Sequence, residues 1–164
     1  MRRRFVSEQF VYHPIGIIHS EHTDPAHGPI QPCYADGCLG TVEVFDQYVE
    51  GLKDLEGYSH IILLYHCHRA RPCPMLVKPF IQDKEHGLFA TRMPGRPNPI
   101  GMSIVPLLSR EGGVLHVGRI DVLDGTPLLD IKPYSRRFDR VDNTRNGWQD
   151  EVDDETASAR GRRP

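Results

Sequence analysis

The sequence predicts a mainly β protein, a small closed or nearly closed β-barrel of six or seven strands with one or two short helices. Its apolar runs are short, and several alternate with polar residues, which is the period of a half-buried strand. Glycine, proline and aspartate recur between these runs at close spacing, as turns between strands require. Helical spacing of apolar residues is clearest at one place, residues 47–55.

The strands are predicted from local pattern, one after another along the chain. Residues 40–45 alternate cleanly, and residues 59–68 form the Ile-, Leu- and Tyr-rich run that is typical of a buried strand. The segment Glu111-Gly-Gly113 predicts a hairpin turn between two strands. The full set of predicted strands is 11–20, 40–45, 59–68, 88–91, 102–108, 114–122 and 128–131.

A chain of 164 residues predicts one main domain, which we place at residues 8–140. We predict that residues 141–164 form a short terminal helix, anchored by Trp148, and then a disordered acidic and basic tail. The loop over residues 21–39 is too long for an idle connection in a compact domain, so we expect it to serve function.

The composition is that of a globular protein, with 38% hydrophobic and 26% charged residues. The apolar runs are much shorter than the roughly 20 residues of a membrane span, so no membrane partner is expected. Glu8, Gln9 and His13 interrupt the stretch in which an export signal would need apolar residues. The expected location is the cytoplasm.

A net charge of −2 excludes a uniformly basic nucleic-acid-binding protein, but the charge is unevenly placed. Acidic residues crowd 150–155, whereas basic residues lie in or beside the proline-containing turns. Two interpretations stay open, a local basic patch that binds structured RNA and ordinary solvated charge. The basic residues in question are Arg69, Arg71, Lys78, Arg92, Arg96, Lys132, Arg136 and Arg137.

Several common site motifs are missing from the sequence. It contains no Gly-x-Gly-x-x-Gly after a strand, no Walker-type loop and no Gly-x-Ser-x-Gly. His66 and His68 would share one face of a strand while Cys67 points away, and Cys73 lies beyond a proline, so we predict no metal site. In a cytosolic chain the four cysteines are expected to be free thiols: Cys33, Cys38, Cys67 and Cys73.

The segment from residue 87 to residue 134 carries the strongest indication of chemistry. Rigid proline- and glycine-containing turns follow short apolar runs here and hold charged side chains in set positions. The planar guanidinium of Arg92 suits a carboxylate or phosphate. Asp124 has two open interpretations, a turn former that accepts backbone N–H bonds and a functional carboxylate paired with Asp121.

These turns resemble those of the TsaA-like family, whose characterised members are tRNA methyltransferases of the TrmO type. The resemblance covers nearly all of residues 10–135. The matching segments are Pro14-Ile-Gly16, Pro29-Ile-Gln31, Leu55-Glu-Gly-Tyr-Ser-His60, Gly87-Leu-Phe-Ala-Thr-Arg92, Arg96-Pro-Asn-Pro-Ile-Gly-Met-Ser103, Asp124-Gly-Thr-Pro and Asp130-Ile-Lys-Pro-Tyr134.

The resemblance implies a β-barrel methyltransferase that lacks a Rossmann fold and works as a homodimer. It implies S-adenosylmethionine as the methyl donor and N6 of threonylcarbamoyladenosine at tRNA position 37, beside the anticodon, as the acceptor. Arg69 and Ile30 depart from the residues that relatives commonly carry there. The implied donor-binding residues are Pro29, Ile30, Gln31, His68, Arg69, Arg92, Asp124, Gly125, Thr126 and Pro127.

The acceptor nitrogen of such a nucleoside is urea-like and weakly nucleophilic, so a base at its N–H is expected. The candidates are Asp124, Asp130 and Tyr134, in no fixed order, and the phosphates are expected on Lys132, Arg136 and Arg137. The alternative hypothesis is a non-enzymatic barrel that binds S-adenosylmethionine or RNA. A further alternative is methylation of a different acceptor.

Overall fold

The computed structural model describes residues 9–142 and 145–162 and shows a closed antiparallel barrel of six strands. The barrel strands are β1 (Gly16–Ser20), β2 (Leu39–Val44), β3 (His60–His66), β6 (Ile100–Glu111), β7 (Val114–Gly118) and β8 (Thr126–Pro133), and β4 (Leu76–Val77) pairs with β5 (His86–Gly87) outside the barrel. Around the barrel the strand order is β1-β2-β7-β6-β3-β8, and β8 pairs with β1 to close it. This confirms the predicted fold class.

The barrel interior is filled by alternate residues of its strands, as the period of two predicts. On β3, for example, Ile61 and Leu63 are fully buried while His66 at the strand end is exposed. Residues that follow β7 close one end of the core. The buried core consists of Ile18, Val42, Val44, Leu52, Leu55, Ile61, Leu63, Val105, Leu115, Val117, Ile120, Val122 and Leu128.

Close backbone contact explains the glycine at the start of β1. A Cβ atom on Gly16 would lie 2.2 Å from the carbonyl oxygen of Glu43 on the paired strand β2. Such an approach is impossible for any residue with a side chain unless the strands separate. Gly16 therefore allows β1 and β2 to pair tightly next to the closing strand β8.

Two predicted elements have a different form in the structure. Residues 88–91 are not a strand but a 3-10 turn, Leu88–Ala90, which Thr91 closes by donating from its backbone N–H and its hydroxyl to the Leu88 carbonyl. The predicted helix over 47–55 is a 3-10 helix, Asp46–Leu52. Its continuation is broken because Asp54 adopts the left-handed region at φ 68°.

In the part of the tail that the structure describes, Trp148 lies in a short 3-10 helix, as expected, but a second helix follows where the composition predicted disorder. Residues 147–151 form a 3-10 turn, and α2 (Asp154–Arg162) follows, whereas α1 (Arg136–Asp139) is a single turn after β8. The acidic first turn and basic last turn of α2 complement its dipole, and Asp153 accepts a hydrogen bond from the Thr156 N–H as a cap. Local charge pattern therefore favours a helix where composition had indicated disorder.

No helix in residues 9–142 or 145–162 has the length and apolar character needed to cross a bilayer. The N-terminal residues 1–8, which include the basic start of the chain, lie outside the described residues, as do 143–144 and the last two residues of the tail.

Candidate functional site

A cavity of about 860 Å³ opens at the end of the barrel where β3 ends and β6 begins. Its walls come from the long loop before β2, the turn around residues 91–96, the segment between β7 and β8, and the C-terminal region at residues 148–149. The volume lies within the range of about 300–1,000 Å³ that is typical of small-molecule sites. The predicted functional loop over residues 21–39 thus contributes one wall.

A chain of three hydroxyl and carboxyl groups runs from the barrel interior to this cavity. Ser103 Oγ donates to Asp121 Oδ1 at 2.6 Å, and the Tyr65 hydroxyl lies 3.0 Å from Ser103 Oγ. The Tyr65 ring lies directly over Gly101, its cross-strand partner, where a Cβ atom would approach ring carbons to 2.1 Å. Glycine at 101 therefore makes room for the ring that leads this hydrogen-bonded chain.

Burial raises the pKa of both ionisable groups in this hydrogen-bonded series, Asp121 and Tyr65. Burial raises the pKa of Asp121 from 3.8 to about 6, although the Ser103 hydrogen bond opposes part of that shift. Burial also raises the pKa of Tyr65 well above its ordinary value, so that the phenol stays neutral. Asp121 is the only carboxylate among the described residues that line the cavity. A carboxylate with a pKa near neutrality is suited to accept a proton.

Across the cavity, a second series of hydrogen bonds joins the turn around residues 91–96 to the long loop before β2. Arg92 Nη1 donates to Gln31 Oε1 at 2.6 Å, and Gln31 Nε2 donates to the Ile30 carbonyl at 2.7 Å. Arg92 is exposed, and its guanidinium has further N–H groups beyond the one that contacts Gln31. These groups are available to a carboxylate in the cavity.

A third polar contact lies at the start of β8. The buried Thr126 hydroxyl is 3.2 Å from His68 Nδ1. Partial burial, helped by the neighbouring Arg69 and His66 charges, lowers the pKa of His68, so its ring loses its proton at a lower pH than an ordinary histidine does. Arg69 Nη1 donates to the Thr23 carbonyl and so ties the end of β3 to the long loop.

Comparison with known proteins identifies the family. A family model described as the tRNA-methyltransferase O N-terminal domain matches residues 17–140. The chain belongs to this TrmO family.

Similar proteins agree with this assignment. A Pyrococcus abyssi protein named as a probable S-adenosyl-L-methionine-binding protein is 56% identical over 84% of this chain and 74% of its own length. The human tRNA (adenine(37)-N6)-methyltransferase is 34% identical over 79% of this chain. A crystal structure of TrmO from Pseudomonas aeruginosa superposes with a TM-score of 0.71 at 40% identity over 85% of this chain.

The chain spans only part of some of these relatives. It covers 62% of the crystallised Pseudomonas TrmO and 31% of the human methyltransferase. The family match ends at residue 140, so the C-terminal residues 145–162, which the structure describes, lie outside it.

Within this TrmO-family site, most of the donor-binding residues implied by the resemblance are brought together. Seven of the ten line the cavity, while Asp124 and Gly125 lie in the turn before β8 and Pro127 lies on β8. The seven are Pro29, Ile30, Gln31, His68, Arg69, Arg92 and Thr126.

Asp124 contacts the barrel rather than the cavity. Its Oδ1 accepts a hydrogen bond from the Ser20 N–H at 3.2 Å and lies 3.4 Å from His19 Nδ1. Its backbone N–H donates to the His22 carbonyl, and Gly125 takes the positive φ of 73° that this turn needs. These contacts favour the turn-forming interpretation of Asp124.

The structure does not bring the other two candidate bases to the cavity. β8 runs away from the cavity beginning at Thr126, and at about 3.3 Å per residue Tyr134 lies roughly 26 Å along the strand. The Tyr134 N–H donates to the His60 carbonyl at the far end of β3. Asp130 forms an ion pair with Lys132 at 2.7 Å and lines a separate depression.

Arg96, in the most unusual turn of the sequence, lines the cavity and also supports the turn that presents Arg92. Its Nη1 donates to the Thr91 carbonyl at 2.9 Å, and the guanidinium lies 5.3 Å from the centre of the Phe89 ring. Arg96 thereby fixes the turn that presents Arg92.

In the sequence, Asp121 stood out only as a possible partner of Asp124, and nothing connected it with Ser103 or Tyr65. Ser103 had no base near it in sequence, yet Asp121 lies 2.6 Å away because β6 and the segment after β7 meet at the barrel end. The structure also brings ligand atoms of Glu21, His22 and Cys38 within 4.8 Å of one another. There the His22 ring Nε2 is 2.9 Å from the Ile120 carbonyl.

Proposed function

We propose that this chain is an S-adenosylmethionine-dependent methyltransferase that methylates N6 of threonylcarbamoyladenosine at position 37 of tRNA. The observation that carries the proposal is a cavity in a TrmO-family barrel with a carboxylate on one wall and a guanidinium on another. The proposal includes the threonylcarbamoyl acceptor, binding of the anticodon loop, a homodimer and a cytoplasmic location.

The residues at the cavity fit a donor with a carboxylate, a ribosyl group and a base. Arg92 has N–H groups for the carboxylate, and its bond to Gln31 holds the guanidinium in one orientation. Thr126 and His68 provide hydroxyl and imidazole groups for hydroxyls of a ligand, while Ile30 and Leu123 provide apolar surface. When bound, S-adenosylmethionine supplies a methyl group on a positively charged sulfur.

We assign the role of base to Asp121. The acceptor N6–H proton passes to the Asp121 carboxylate as the nitrogen forms its bond to the methyl carbon and the sulfur–methyl bond breaks. The Ser103 hydroxyl, held by Tyr65, keeps the carboxylate in one orientation. A weakly nucleophilic nitrogen gains most from a base whose pKa is close to the working pH, and Asp121 satisfies this condition.

We propose that the tRNA approaches over the cavity mouth and not over α1. Arg69 lines the cavity, and the exposed Arg71 and Lys78 lie beside segments that line it. By contrast, Arg136 and Arg137 follow β8 at the opposite end of the barrel. An unpaired anticodon-loop base is accessible to such a mouth, and phosphate contacts there depend on salt.

The homodimer that we propose uses the outer face of β6. Ile100, Met102, Ile104 and Leu108 point outward at alternate positions of this strand and are 46, 44, 38 and 57% exposed. A continuous apolar strip on an antiparallel sheet is typical of a surface that a second copy covers. The strip borders the cavity, so a second copy would narrow its mouth.

The deciding experiment incubates the purified chain with tRNA and labelled S-adenosylmethionine and then analyses nucleosides by mass spectrometry. One added methyl on threonylcarbamoyladenosine supports the proposal, and tRNA that lacks the threonylcarbamoyl group is the matched control substrate. Methyl on unmodified adenosine would replace the proposed acceptor. Bound donor without any product would support the alternative of a non-enzymatic binding module.

A further inference from the structure

The C-terminal region contacts both loops that form the cavity. This region comprises residues 145–162. Near its start, the indole N–H of Trp148 donates to the Ala90 carbonyl at 2.8 Å. The Trp148 ring stacks on His86 with centroids 4.8 Å apart and planes inclined by 20°. Ala90 belongs to the turn that ends just before Arg92. One end of the C-terminal region is therefore attached to the arginine side of the cavity.

The other end of the same region is attached to the long loop. The Ile30 N–H donates to the carbonyl of Gly161 near the end of α2 at 2.9 Å. Gly161 is buried, and a Cβ atom there would lie 2.6 Å from carbons of the Tyr34 ring. The helix thus packs against the 3-10 turn Pro32–Tyr34 so closely that only glycine fits at the contact.

Two charged side chains of the C-terminal region also form ion pairs with residues 83 and 84, in the segment before β5. Glu151 Oε2 accepts from Lys84 Nζ at 2.6 Å, and Arg160 contacts both carboxylate oxygens of Asp83 at 3.1 Å. These pairs are exposed, so each contributes little by itself. The buried packing and the two hydrogen bonds to backbone carbonyls carry most of the attachment.

The contacts complete a ring around the cavity. Ala90 leads to Arg92, Arg92 donates to Gln31, and the backbone of Ile30 returns to Gly161. The ring is closed only because residues 148–161 span the distance between the two loops. Trp148 and Gln149 also form part of the cavity wall.

We infer that residues 145–162 act as a strap that holds the Pro29–Gln31 loop and the Arg92 turn in the position that binds the donor, with Trp148 and Gly161 as positioning residues. This inference rests on the proposed function for the identity of the donor. It concerns a region that the family model does not match, since that match ends at residue 140. The strap sets the fraction of molecules that are competent to bind, and the apparent dissociation constant rises as that fraction falls.

The test compares two variants of the full chain, Gly161→Leu and Ala159→Leu. Both place leucine, a good helix former, on α2, but Ala159 is exposed whereas Gly161 contacts Tyr34. We expect Gly161→Leu to weaken S-adenosylmethionine binding in calorimetry about tenfold, as for a competent fraction near one tenth. We expect Ala159→Leu to bind as the unaltered chain does.

Two further readouts separate positioning from general damage. In Gly161→Leu, the turnover number at saturating donor stays unchanged, the unfolding temperature of the barrel is kept, and amide exchange at Ile30 increases without any ligand. Trp148→Phe keeps the stacking on His86 but loses the hydrogen bond to Ala90, so its donor affinity falls less than that of Trp148→Ala. These variants decide the matter should Gly161→Leu not fold.

Two results would overturn the proposal that residues 145–162 position the donor-binding loops. One is equal donor affinity in Gly161→Leu and Ala159→Leu. The other is unchanged amide exchange at Ile30 in both Gly161→Leu and Trp148→Ala. Failure of the proposed function is distinguishable, because the unaltered chain would then not bind S-adenosylmethionine. The exchange measurement needs no donor and decides in that case whether the strap orders the loop.

Discussion

Replacing Asp121 by asparagine removes a buried carboxylate, and its effect on the free energy of unfolding can be measured separately from its effect on turnover. Burial raises the pKa of Asp121 from 3.8 to about 6 in the folded protein. At about 1.4 kcal/mol for each tenfold change, this disfavours the ionised form by about 3 kcal/mol. Between about pH 4 and pH 6 the folded state binds a proton that the unfolded state has released, so stability falls as the pH rises through this window.

The Asp121→Asn variant has no such charge, so we expect it to be more stable than the unaltered chain at pH 8, by up to about 3 kcal/mol. The difference should shrink as the pH falls and vanish below about pH 4, where the aspartate is protonated in both states. Denaturant unfolding at pH 4, 6 and 8 measures it. A variant that is less stable at pH 8, or a difference that does not change with pH, would refute the reasoning.

The same substitution removes the proposed base. We expect turnover to fall by about 10²–10⁴-fold, while the donor dissociation constant stays within about twofold. In the unaltered chain the rate should rise with pH and level off above about 6, as the carboxylate ionises, and the variant should lose this inflection. Asp124→Asn is the matched control, because Asp124 contacts Ser20 and not the cavity. Loss of turnover in Asp124→Asn alone would transfer the role of base to that residue.

Other predictions address the remaining parts of the site and fold. Arg92→Ala should weaken donor binding in calorimetry by about 10–100-fold, as for a lost charge-assisted bond, with an almost unchanged melting curve, and loss of the fold would instead indicate a structural arginine. Binding of tRNA should weaken steeply with added salt, and Arg71→Ala should flatten that dependence more than Arg136→Ala does. Gly16→Ala should lower the unfolding temperature through about 1–3 kcal/mol of overpacking against Glu43, and equal melting would contradict the close approach.

The sequence was sufficient for the architecture because barrel strands are specified by a local period. The alternation in residues 40–45 and the apolar run of 59–68 place β2 and β3 within a residue or two of their observed bounds. Where the local pattern is ambiguous, tertiary contacts determine the secondary structure. The run at 88–91 has strand-like composition, but Arg96 binds the Thr91 carbonyl and favours a 3-10 turn.

For the site, the rigid turns and their resemblance to a known family indicated the donor loops, because those residues are contiguous in the chain. The candidate bases named from the sequence were Asp124, Asp130 and Tyr134, and Asp121 was considered only as a partner of Asp124. Asp121 faces the cavity while Asp124, only three residues later, turns toward β1, and this difference depends on the packing of three strands. Asp130 and Tyr134 belong to a matching motif, yet β8 carries them away from the cavity.

The amino-acid sequence by itself determined the barrel, the family and the loops that surround the cavity, since each depends on residues that are neighbours in the chain. Only the tertiary structure decided which carboxylate shares the cavity with Arg92 and that the C-terminal helix packs on the long loop. Both outcomes require groups that are distant in sequence to meet at one end of the barrel, and no local period encodes such a meeting.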